Sequence, residues 1–151
     1  MKNILFVTLL TTGLVLGASA QDKQQDKLKE SDVPTAVQTN FKTAFPNAKD
    51  VEWKMKEGKY KVAFEVNGTD HIASFGTDGK MMSKGMKIRT SELPSAVASA
   101  VKSAYADREI NNVYRVDKDG TVAYLVKLDG DPETKVLYSA DGQVVKEKKD
   151  Q

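Results

Sequence analysis

The second half of this chain repeats the first, and no other feature restricts its possible folds as much. Val33-Pro34-Thr35-Ala36-Val37 returns as Leu93-Pro94-Ser95-Ala96-Val97, and Phe41, Ala44 and Phe45 return as Val101, Ala104 and Tyr105. Phe64-Glu65-Val66-Asn67-Gly68 is matched by Val126-Lys127-Leu128-Asp129-Gly130, and Phe75 with Asp78-Gly79 by Tyr138 with Asp141-Gly142. The offset drifts from about 60 to about 63 residues, as small loop insertions between copies of one unit would produce. A unit of that size buries little apolar surface alone, so the two copies are expected to join through a common β-layer.

Each copy opens with a helix. Val33, Val37, Phe41, Ala44 and Phe45 follow helical spacing, as do Leu93, Val97, Val101, Ala104 and Tyr105, giving one apolar stripe per helix. Ser31 or Asp32, and Ser91, are the candidate caps, with Pro34 and Pro94 in the first turn, where no backbone donor is missed. Pro46 stops the first helix, because the residue before a proline is steered away from helical geometry. A single stripe has to lie on something, and the strands that follow are the candidate.

Turn chemistry predicts those strands and their register. With Glu57-Gly58 as a two-residue hairpin turn, Met55 faces Tyr60, Trp53 faces Val62 and Val51 faces Phe64, all on one side. Glu52, Lys54, Lys61, Ala63 and Glu65 fall on the other side. Asn67-Gly68 leads to a third strand with Ala73 and Phe75, and Asp78-Gly79 to a fourth near Lys80 to Ile88. The unit is a helix followed by a four-strand meander, an α+β fold. In the second copy, Asp119-Gly120 sets Arg115 opposite Tyr124 and Val113 opposite Val126. The reverse face then carries Tyr114 opposite Leu125 and Val116 opposite Ala123, and Leu137 joins them from the next strand. A sheet apolar on both sides leaves three readings. The outer face is covered internally, the register slips, or Tyr114, Val116, Leu125 and Leu137 form an exposed patch for a partner.

Ahead of the repeat, Lys2, the apolar run Ile4 to Gly17 and Ala18-Ser19-Ala20 read as a signal peptide over residues 1–20, cut before Gln21. The run is shorter than the ~20 residues a bilayer span needs, and nothing later in the chain could serve as one. Residues 21–32 are polar and read as a flexible linker, followed by repeats over 33–90 and 91–151. The chain has 23 basic and 21 acidic residues, and losing Lys2 with the leader leaves 22 against 21. That balance gives no electrostatic case for nucleic acid or an anionic membrane. Lys146, Lys148 and Lys149 form a small basic group, read as a solvated C-terminal end. Cysteine is absent, which excludes disulfides, thiol catalysis, thiolate metal sites and a lipid-bearing cleavage-site cysteine.

The search for chemistry is mostly negative. His71 is the one histidine; it sits beside Asp70, opposite Phe64, and reads as a structural strand-end residue. One histidine without a second ligand does not make a zinc site, and no nucleophile elbow accompanies it. Asp117-Lys118-Asp119-Gly120 begins like a calcium loop, but Val122, Tyr124 and Leu125 stand where ligands are needed. The carboxylates at Asp117, Asp119, Asp129, Asp131 and Glu133 read as turn residues. No glycine loop suits a phosphate, so no cofactor, metal or catalytic residue is assigned. Met81, Met82 and Met86 read as core filler, and Trp53 as core.

The helix start Leu/Val-Pro-x-Ala-Val, the segment Phe45-Pro46-Asn47-Ala48, the strand Tyr60-Lys61-Val62-Ala63-Phe64 and the Asp-Gly turns resemble PepSY-like proteins. The closer resemblance is to the secreted bacterial group described as β-lactamase-inhibitor-like, PepSY-like, and it runs from about Val33 to the C-terminus. It implies two tandem helix-plus-four-strand antiparallel repeats forming one curved sheet with helices on one face, in a periplasmic or secreted protein. Its motifs are structural and transfer no functional residue. Ala106-Asp107-Arg108 departs from the Pro-Asn-Ala pattern and leaves the second helix-to-strand turn free to differ. The function expected is a non-enzymatic exported binding module, inhibiting a hydrolase or peptidase through Tyr114, Val116, Leu125 and Leu137. The alternatives are a carrier holding a small ligand between sheet and helices, and a homo-oligomer built through the same apolar face.

Overall fold

The computed structural model describes residues 27–149; the expected leader and residues 21–26 lie outside them. The chain runs β1 (Lys27–Leu28), a 3₁₀ turn (Glu30–Asp32), α1 (Thr35–Ala44), β2 (Lys49–Lys56), β3 (Lys59–Val66), β4 (Thr69–Phe75) and β5 (Met81–Ile88). A second 3₁₀ turn (Thr90–Glu92) leads to α2 (Ser95–Ala104), β6 (Ile110–Lys118), β7 (Thr121–Leu128), β8 (Thr134–Ser139) and β9 (Val144–Lys149). Among the described residues, all nine strands form one antiparallel sheet whose spatial order is the chain order. β5 pairs with β6 from Lys84 opposite Asp117 to Ile88 opposite Val113, so both halves contribute to a single layer. The last part of the expected linker is structured: Leu28 pairs with Trp53 and packs on the first core, and Glu30–Asp32 form the turn before α1.

Three hairpins close through two residues at positive φ, Glu57-Gly58, Asn67-Gly68 and Asp119-Gly120, whose twist matches that of the strands they join. The resulting pairs are Met55–Tyr60 and Trp53–Val62 in the first half, and Arg115–Tyr124 and Val113–Val126 in the second. Val51 does not face Phe64. The β2–β3 register shifts between Lys49 and Glu52, with Asp50 at φ 50°, and Val51 is left 36% exposed. The irregularity sits at a non-glycine residue in the left-handed region, and no turn dipeptide announces it.

Both helices lie on one face of the sheet. Pairing carries that face from Phe64 through His71, Met86, Arg115 and Tyr124 to Tyr138; Phe64 packs under α1 and Tyr138 under α2. The first core is aromatic, with Phe41 of α1 against Trp53, Phe64 and Phe75. The second is largely aliphatic, with Val97 and Val101 over Val113, Val126, Leu128 and Val136. Each such side chain taken fully out of water stabilises the fold by about 1.5–3 kcal/mol. Ala44 and Ala104 are exposed, so the buried helix stripe is spaced by four residues. Met86 is 44% exposed, on the strip between the two helices, and is not core filler.

The helix starts differ from the expected caps. Ser31, Asp32 and Ser91 belong to the 3₁₀ turns, and Pro34 and Pro94 themselves occupy the cap positions without a side-chain cap bond. The residue before each proline is extended, as proline requires, and this separates turn from helix. Gln38 secures the first junction, its Nε2 donating to the carbonyls of Glu30 and Val33 at 2.7 and 2.8 Å. The helix-to-strand turns are alike despite Ala106 standing for Pro46: Ala48 N–H donates to Phe45 O and Arg108 N–H to Tyr105 O, both at 3.1 Å. Each helix also rests on a loop glycine. A Cβ on Gly79 would meet Ala36 Cβ at 3.0 Å, and one on Gly142 would meet the Ala96 carbonyl oxygen at 2.6 Å.

Candidate functional site

Strand alternation sends every second residue to the face opposite the helices. There the pairs Tyr114–Leu125 and Leu125–Leu137 form one row, and Gly85–Val116 and Val116–Ala123 form its neighbour. The four residues singled out from the sequence therefore share this face. Tyr114 is 7% exposed, and Val116, Leu125 and Leu137 are half-buried. Neither helix covers them. The Lys127 ammonium stands 5.2 Å from the centre of the Tyr114 ring, within range of the ring's negative face. Burial, and then the Asp70 carboxylate, push the Tyr114 hydroxyl above its ordinary pKa.

A bend in the sheet is recorded by one residue. Glu57, at the tip of the β2–β3 hairpin, accepts bonds at 3.2 Å from the ammonium groups of both Lys146 and Lys148 on β9, and lies 3.4 Å from Lys61. In a flat sheet, six strand spacings would put β3 and β9 roughly 29 Å apart, beyond the reach of two side chains. Lys61, Lys146 and Lys148 all project from the helix-free face, so that face is the inside of a trough. Lys146 and Lys148 are consequently not a freely solvated chain end. The signal in the sequence was only a pair of alternate lysines, and their partner lies about ninety residues away.

The lysines hold the Glu57 carboxyl at about 2, well below its ordinary 4.5; bonds from Lys146 and then Lys148 contribute most, followed by the charge of Lys61. A carboxyl with a depressed folded pKa stabilises the fold fully above its unfolded value and loses that contribution as pH falls through the folded one. Thermal midpoints followed from about pH 5 to about pH 2 are therefore expected to fall further for the wild-type protein than for Glu57→Gln. The carboxylate is 38% exposed, so the difference stays below about 1 kcal/mol. Parallel curves would show that the ion cluster is not closed in solution.

At the other corner of the trough, an open cleft of about 370 Å³ is lined by Asp50, Glu52, Ala63, Glu65, Asp70 and Tyr114. Two of its carboxylates are engaged, Glu52 with Lys27 at 3.1 Å and Asp70 with Lys87 at 3.0 Å. His71 stacks on Phe64, with ring centres 5.5 Å apart, on the helix side. As its neighbour in the strand, Asp70 points to the opposite face, so the two cannot act as an oriented acid–base pair. Asp117 and Asp129 accept backbone N–H groups, from Gly120 at 3.1 Å and Glu109 at 2.8 Å, as turn residues do. Between helices and sheet, Phe41 and Phe75 pack one half and Val97 and Tyr138 the other, while an open cleft of about 490 Å³ remains beside α1, lined by Glu30, Phe41, Phe45, Pro46, Ala48 and Val51.

These features define a class of protein: a single-sheet α+β module with two helices packed on one face and the other left as a trough. The chain belongs to the family described as "Putative beta-lactamase-inhibitor-like, PepSY-like", which matches residues 20–82 and again residues 58–146. Solved structures share the fold. A protein described as "putative periplasmic" from Bacteroides eggerthii is 22% identical over 78% of this chain and 88% of its own, with a TM-score of 0.63. A DUF2874 family protein from Bacteroides uniformis is 22% identical over 77% of this chain and 88% of its own, with a TM-score of 0.62. A BLIP-like protein from Bacteroides fragilis is 20% identical over 77% of this chain and 85% of its own, with a TM-score of 0.55. No curated protein matches the chain.

Proposed function

We propose that this protein is a non-catalytic binding module, working outside the cytoplasm, that blocks a hydrolase or peptidase by seating part of it in the trough. The carrying observation is the trough itself: an apolar floor of Tyr114, Val116, Leu125 and Leu137, on the face that neither helix covers, with charged residues at its margins. Interfaces that bind tightly combine an aromatic or aliphatic centre with a polar surround in this way. The family's description as β-lactamase-inhibitor-like supports the inhibitory reading, and the expected leader supports export.

Inhibition assays against a panel of serine β-lactamases and extracytoplasmic peptidases test the proposal. The wild-type protein is expected to inhibit at least one member, and Leu125→Asp to weaken that inhibition by about tenfold or more at a temperature where both proteins remain folded by circular dichroism. A panel untouched by the wild-type protein, or inhibited equally by both, would remove the case for this face.

A further inference from the structure

The neutrality of the whole chain conceals a separation of charge. β2 and β3 turn Lys54, Lys56, Lys59 and Lys61 onto the trough face, where Lys54 pairs with Lys61 and Lys56 with Lys59. From the far wall β7, β8 and β9 answer with Lys127, Lys135 and Lys148 in one row and Lys146 beside Leu137. Of these, Lys135 pairs with Glu133 at 3.3 Å and Lys127 stands over the Tyr114 ring, so the part of the face that concentrates positive charge on a single carboxylate is the set around Glu57. Where the two walls meet, three ammonium groups share one carboxylate, Glu57, so the cradle keeps a surplus of positive charge even when closed. The carboxylates Glu52, Glu65 and Asp70 line the opposite corner, where Lys27 pairs with Glu52 and Lys87 with Asp70.

We infer that Glu57 is a placeholder: the cradle of Lys61, Lys146 and Lys148 takes a carboxylate from an acidic segment of the partner protein, which displaces Glu57 as it docks along the apolar floor. The inference rests on the trough being the binding face. An ammonium–carboxylate contact already made within the chain is exchanged for an equivalent one, so docking need not desolvate a new charge pair at the cradle. The released Glu57 side chain returns to water at the exposed hairpin tip.

The test uses the full mature chain and a fluorescein-labelled decaglutamate peptide, read by fluorescence anisotropy at low ionic strength. Glu57→Gln removes the internal competitor and is expected to tighten peptide binding by about threefold or more. Lys146→Gln with Lys148→Gln is expected to weaken it by about tenfold. Asp107→Asn, an equal change of charge in the exposed turn after α2, is expected to leave it unaltered. Binding that weakens or stays level in Glu57→Gln, or tightens equally in Asp107→Asn, overturns the placeholder. A ten-residue oligothymidylate that binds more tightly than the peptide, with the same dependence on the lysines, also overturns it and assigns the cradle to phosphate. If the placeholder fails while Leu125→Asp still relieves hydrolase inhibition, the binding-module reading survives. If decaglutamate behaves as expected and no hydrolase is inhibited, the cradle stands and the inhibitory reading falls.

Discussion

Phe41→Ala is expected to destabilise the protein by about 4 kcal/mol, read as a fall in the urea midpoint at an unchanged slope. Phe41 is the hub of the first core. Its ring lies 5.7 Å from Phe45, 5.1 Å from Trp53, 5.0 Å from Phe64 and 6.3 Å from Phe75, and three of these contacts are edge-on. Truncation loses the transfer energy of the ring and the edge-to-face terms together, and it leaves a cavity whose rigid aromatic walls relax poorly. Val101 holds the matching place in the second core, among aliphatic neighbours. Val101→Ala removes far less and is expected to cost about 2 kcal/mol. A smaller loss for Phe41→Ala than for Val101→Ala would contradict the aromatic cluster as the main anchor of α1.

Gly142→Ala is expected to cost about 3 kcal/mol, a large effect for the addition of one methyl group. Two penalties combine. The residue sits at φ 86°, where an L side chain is strained, and its new Cβ would stand 2.6 Å from the carbonyl oxygen of Ala96 and 2.9 Å from its carbonyl carbon. That obstacle is backbone in the first turn of α2 and cannot rotate away, so the helix must lift from the sheet. Gly58 separates the two penalties: at φ 69° it is strained in the same way, but nothing lies within 4 Å of its Cβ position. Gly58→Ala is expected to cost only about 1 kcal/mol. Equal losses at the two sites, measured by thermal unfolding, would mean that α2 does not rest on the β8–β9 loop.

Much of this architecture was legible because local chemistry decides it. Asn67-Gly68 and Asp119-Gly120 can hardly be other than tight turns, and a two-residue turn sets the facing of every residue on the strands it joins. The placement of Tyr114, Val116 and Leu125 on one face followed from that register, and Leu137 joined them on the condition that Val136 and Tyr138 face the helix, as they do. Failures came where the deciding contact is distant or has no marker residue. Asp50 adopts a positive φ without a glycine and displaces Val51; Ser31 and Asp32 could have capped a helix, but the extended residue before Pro34 set them in a separate turn. The trough was illegible for a deeper reason. Alternation tells which face Lys146 occupies, whereas the bend that carries it to Glu57 accumulates over the twist of many strands.

Because the sheet follows chain order, most ladders form between strands joined by short turns, and only β1–β2 and β5–β6 close over a helix. The bonds from Lys146 and Lys148 to Glu57 bridge 89 and 91 residues and can form only once both halves stand. They are ionic and side-chain only, unlike the amide ladders within the sheet. The twist of the strands brings the two walls together, and the ionic contact between them is the part of the assembly that added electrolyte is expected to weaken while the strands stay paired.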